Sequence, residues 1–213
     1  MLYNLNLTLS DEETEMLKEI KGGTVSEIIF DRPVENVLEY SHIGFTVLTF
    51  SDKDSCIVIS QEDTNKEYPE SEESNSAFQI RQDYPRFRVE RSNIKNLDEF
   101  KYRIMSPCGV KVVGQPVWKS CFVNSRVESI RIIRDIASWK FGENTWNAKA
   151  DIGIELLLSE KSILLVMEEC KDWMYSVFLG AKNTAEIVNK FWNKNDWGLA
   201  GKVNCLYREV IEF

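Results

Sequence analysis

The chain of 213 residues has one histidine, His42, and five cysteines, Cys56, Cys108, Cys121, Cys170 and Cys205, with no C-x-x-C pair among them. A single imidazole and dispersed thiols exclude a Cys/His zinc site of the usual spacing. Any Ser/His/Asp or Cys/His mechanism would have to run through His42, whose position at the entrance to a strand reads as structural. An odd, scattered cysteine set reads as small buried hydrophobes in a reducing compartment. No dinucleotide-binding Gly-rich loop, Walker loop or H-E-x-x-H stretch occurs. No cofactor is therefore expected. Long hydrophobic runs are missing too: stretches such as Ile163 to Met167 fall far short of the roughly 20 residues that span a bilayer as a helix. The first nine residues carry no basic n-region and meet acids directly at Asp11, so they do not read as a signal peptide. A cytoplasmic protein without a membrane span is the expectation. A basic stripe for phosphate is also absent, which makes nucleic acid a poor direct partner.

What the chain has is 43% hydrophobic content, enough for one substantial core or two smaller ones sharing an interface. Its net charge of −8 is uneven: residues 1–107 hold 21 acids and 12 bases, residues 108–213 hold 13 and 14. All six tryptophans, Trp118, Trp139, Trp146, Trp173, Trp192 and Trp197, fall in the second half. The two halves present different surfaces.

Three helices are predicted from a capping residue followed three positions later by glutamate. They start at Ser10, Asn96 and Asn183; the first stops at Gly22-Gly23 and the second before Pro107. Strands are predicted near 25–31, 43–50, 55–60, 110–113, 117–123, 127–133, 152–158, 162–168, 174–179 and 203–213, with Phe87 and Val89 alternating with Arg86, Arg88 and Glu90 in another. Two hairpins resemble one another, Ile43 to Glu62 and Ile152 to Glu169, each preceded by a similar strand. Any two amphipathic hairpins share some likeness, but order and spacing both recur here, which favours an internal duplication. The expected fold is α+β: two related, mainly antiparallel β-rich units, 1–107 and 108–213, each with helix and closely packed.

Two features attract a binding role. Gln61 to Ser76 is acidic and lacks apolar periodicity, so it reads as a surface loop in which Glu62, Asp63, Glu67, Glu70, Glu72 and Glu73 offer a face to a basic protein. It lacks the D-x-[DN]-x-[DN]-G spacing of a calcium loop. Trp139, Trp146 and Trp173 stand near polar segments, where tryptophan is a favoured interface anchor.

One enzyme-like pattern remains. Asp151 opens a strand, and after the following turn and strand come Glu169-Cys170-Lys171. This D…E-x-K arrangement, over about twenty residues, resembles the restriction-endonuclease-like nucleases. The resemblance implies that Asp151 and Glu169 hold Mg²⁺ and Lys171 assists the attacking water. No proline precedes Asp151, and the matching hairpin ends Gln61-Glu62-Asp63-Thr64 without a lysine. The function expected from the whole chain is non-enzymatic binding of a basic protein, of immunity or antitoxin-like kind, with a metal-dependent nuclease or a homodimeric scaffold as the alternatives.

Overall fold

The computed structural model describes residues 2–31, 34–35, 39–51, 53–62, 86–93, 118–141, 143–167, 175–192 and 202–213. Along them run β1 (Leu2–Leu7), α1 (Asp11–Lys18), β2 (Thr24–Asp31), β3 (Val34–Glu35), β4 (Glu39–Ile43), β5 (Phe45–Phe50) and β6 (Ser55–Glu62). They are followed by β7 (Arg86–Asn93), β8 (Trp118–Phe141), β9 (Asn144–Leu158), β10 (Ser162–Met167), β11 (Tyr175–Leu179), α2 (Thr184–Phe191) and β12 (Lys202–Glu212).

The strands form one large sheet in the order β3-β4-β11-β10-β9-β8-β2-β5-β6-β7, with β12 antiparallel to β8 and β1 parallel to β9. This corrects the expected α+β arrangement of two units, each with its own helix. Strands of the two halves are neighbours: β4 lies on β11, β2 on β8 and β1 on β9. The second predicted helix, the boundary at Pro107 and the strand near 110–113 lie outside the described residues.

One of these junctions between the halves runs through β8. Asn124, Ser125 and Arg126 have the composition of a turn, so the sequence reads two strands there. The structure instead places Asn124 at φ 44 within one continuous 24-residue strand. The β2/β8 register shifts opposite this point, between Val25 and Glu27. A left-handed asparagine absorbs the extra residue of a bulge and bends the strand without ending it. The first part of β8 then pairs with β2, and the rest with β9 on one side and β12 on the other.

The sheet also returns on itself. Only Gly44 separates β4 from β5, yet β4 pairs with β11 and β5 pairs with β2 and β6. The two parts meet across the core, where Tyr175 of β11 donates its hydroxyl 2.8 Å to Thr46 Oγ1 of β5 or to the Ile59 carbonyl of β6. Its ring stands edge-on to Phe87 of β7 at 5.7 Å. Strands β5 and β10 are buried on both faces, which explains why their sequences are apolar runs rather than alternations.

Both described helices sit where their caps were expected. Ser10 and Glu13 form a reciprocal capping box at α1 (Ser10 N to Glu13 Oε2, 2.7 Å; Glu13 N to Ser10 Oγ, 3.2 Å). Asn183 caps α2, whose Val188 is buried and whose Phe191 meets Phe178 of β11 edge-on at 5.7 Å. No described helix is long and apolar enough to cross a membrane.

Candidate functional site

The strands β1, β9, β8 and β12 lie side by side in that order. Trp139 of β8 and Trp146 of β9 are directly opposed in the β8/β9 register, their rings stacked at 6.2 Å, and Tyr3 of β1 stacks on Trp146 at 4.3 Å. Trp139 is 0% exposed and Trp146 7%. The two indoles expected as surface anchors are therefore part of the core, and Trp173 lies outside the described residues. The signal that places them inside is cross-strand: two large aromatics opposed on one face of a hairpin bury together, and only the register shows that they are opposed.

Asp151 is 0% exposed. An extra residue in β9, opposite Ile133 and Arg134 of β8, re-aims the backbone at this point. Its carboxylate accepts the Leu9 N–H at 2.8 Å and the Arg134 Nε and Nη2 at 2.5 and 3.1 Å. Arg134 has a second acid, Glu209 of β12, at 3.8 Å. Asp151 thus holds the exit of β1 to the hairpin, and its oxygens are engaged by cationic and backbone donors rather than aimed at an open cleft. Glu169 and Lys171 lie outside the described residues, and among the described residues no group of three or more His, Cys, Asp or Glu side chains could hold a metal ion.

The other buried carboxylates follow the same pattern. Asp135 receives Arg208 at 2.6 and 2.8 Å, while Arg208 also donates 2.8 Å to the Trp192 carbonyl and so ties β12 to the end of α2. Glu155 receives the Thr184 hydroxyl at 2.5 Å and stands 3.5 Å from Arg131. Glu13 of α1 accepts the N–H groups of Ser10 and Val89 and the Arg86 guanidinium, the last at 2.9 Å. Burial alone would raise the Glu13 carboxyl, but these donors outweigh it and hold it below the ordinary carboxylate range.

Exposed acids occur in both halves of the described residues, Glu128, Glu143, Glu160, Glu186 and Glu212 among them in the second. Glu62 ends β6 and pairs with Arg86 at 2.8 Å, whereas Asp63, Glu67, Glu70, Glu72 and Glu73 lie outside the described residues. Sequence reasoning missed a second acidic surface. Asp11, Glu12, Glu15 and Glu19 all stand exposed on or beside α1, with Lys18 bonded to Glu15 at 2.6 Å and Arg91 paired with Glu19. The signal was present in Asp11-Glu12-Glu13-Thr14-Glu15: a capping box fixes Glu13 inward, and 3.6-residue periodicity then turns its acidic neighbours outward.

Compared with known proteins, the chain matches no family model, no curated protein and no solved structure.

Proposed function

We propose that the chain is a non-enzymatic binding protein whose acidic first half engages a basic protein, in the manner of an immunity or antitoxin-like protein in the cytoplasm. The observation that carries this reading is the group of exposed acids on and beside α1. Asp135, Asp151, Glu155 and Glu13 are buried and committed to internal donors. Asp11, Glu12, Glu15 and Glu19 instead face solvent, in a half that holds 21 acids against 12 bases. A field of one sign accelerates capture of an oppositely charged partner and is screened by salt. Affinity capture from the native host at low and moderate salt, read by mass spectrometry, is the test. The expected result is a stoichiometric basic protein whose binding weakens with salt and falls when Asp11, Glu12 and Glu15 are changed to lysine. Recovery of no stoichiometric partner, or Mg²⁺-dependent cleavage of DNA by the purified chain, would overturn the proposal.

A further inference from the structure

The sheet's margins are treated differently. At β7 the margin is covered: α1 packs there, and the Val89 N–H that would recruit another strand is taken at 3.2 Å by Glu13 Oε1. At β12 no described strand or helix lies along the outer edge. The Phe213 N–H donates to the Ile130 carbonyl at 3.0 Å and the Ile130 N–H returns to Phe213 at 3.5 Å. In an antiparallel ladder such bonded pairs alternate with pairs whose backbone groups turn away. With an unbroken register from Cys205 to Glu212, the backbone N–H and C=O groups of Leu206, Arg208, Val210 and Glu212 therefore point outward.

The usual guards of an open edge are charges held over it, proline or a bulge. From Cys205 onward β12 has no proline or register shift, and its charges are drawn inward. Arg208 is bonded to Asp135, Asn189 and the Trp192 carbonyl. Glu212 is bonded to Arg131 and Ser129. Tyr207 and Val210 remain 58% exposed each.

We propose that this edge pairs antiparallel with the same edge of a second copy of the chain, with the two-fold axis at Val210. The choice of centre follows from charge. A two-fold at Arg208 sets guanidinium against guanidinium, one at Glu209 sets carboxylate against carboxylate, one at Tyr207 runs into the register shift between Val203 and Cys205, and one at Ile211 leaves only the 210/212 pairs, about four backbone bonds. At Val210, Arg208 of each copy lies opposite Glu212 of the other, Tyr207 opposite Phe213, and Val210 opposite itself. The outward groups of residues 208, 210 and 212 then form about six backbone hydrogen bonds, two in each bonded pair. In that register Arg208 and Glu212, each already held within its own chain, meet no like charge, and Tyr207 stands opposite Phe213. The result is an isologous seam that joins two sheets into one, and it stands independently of any basic partner.

The test uses the full chain and light scattering across a concentration series. The native chain is expected at twice the mass of one chain. Val210→Pro removes an outward N–H and spares the ladder to β8, so it is expected to be monomeric with unchanged far-ultraviolet circular dichroism. Glu212→Arg sets like charges opposite one another and is expected to weaken the dimer about tenfold or more. A native chain that stays monomeric at every concentration, a folded Val210→Pro that still dimerises, or a Glu212→Arg dimer of undiminished affinity would each overturn the proposal.

Discussion

Glu13 and Asp151 are two buried acids with the same kind of ligands and opposite structural duties. Glu13 accepts two backbone N–H groups and Asp151 one, each with an arginine, but Glu13 reaches from a helix to the margin of the sheet, whereas Asp151 sits within the sheet at a bulge. Arg86 beside Glu13 is shared with the half-exposed Glu62, while Arg134 beside Asp151 is more enclosed. The first arrangement closes an edge with water nearby, and the second sets where a parallel strand, β1, joins an antiparallel hairpin. A buried pair contributes little net stability when intact but is costly to break from one side, because the surviving charge stays buried. The comparison therefore predicts that damage scales with enclosure.

The largest effect is expected at Asp151. Asp151→Ala leaves Arg134 with only Glu209, 3.8 Å away, and frees the buried Leu9 N–H, so urea unfolding should show a loss of about 3–5 kcal/mol. A loss equal to that of an exposed pair would break the comparison. Glu13→Gln should cost less, about 1–3 kcal/mol at neutral pH, and its pH dependence sharpens the contrast. The Glu13 carboxyl is lowered from an ordinary value of 4.5, so its contribution is complete above that value and is lost as pH falls through the lower folded one. The difference between native chain and variant should narrow on acidification below 4.5, whereas a constant difference would show that the carboxylate charge is not what matters.

Ser10→Ala removes the other half of the same junction, the cap whose hydroxyl accepts the Glu13 N–H at 3.2 Å. About 1 kcal/mol should be lost in thermal or urea unfolding. Smallest of all is the Arg91–Glu19 pair, whose side chains are 49% and 57% exposed. Arg91→Ala should change stability by at most about 0.5 kcal/mol, and less as salt is added. A larger change there would mean that exposure does not set the scale.

Much of this chain was legible locally. The caps at Ser10 and Asn183, the alternation around Phe87 and Val89, and the apolar runs of β5 and β10 all depend on neighbours within a few residues. β1 was overlooked although Tyr3, Leu5 and Leu7 alternate with Asn4 and Asn6, a period of two that a strand on another sheet would need. The acidic face of α1 was equally readable once Glu13 was assigned inward.

Residue order by itself determined where helices begin, which strands are apolar, and the acidity of the first half, because each is a property of short windows. Only the tertiary structure decided that the halves share one sheet, through β1 on β9, β4 on β11, and a β8 that a bulge at Asn124 keeps continuous where composition reads a turn. The same holds for Trp139 on Trp146 and for Asp151 on Arg134 and Leu9. Strand register brings these partners together from positions as far apart as 9 and 151, and register is set by how two faces bury against each other.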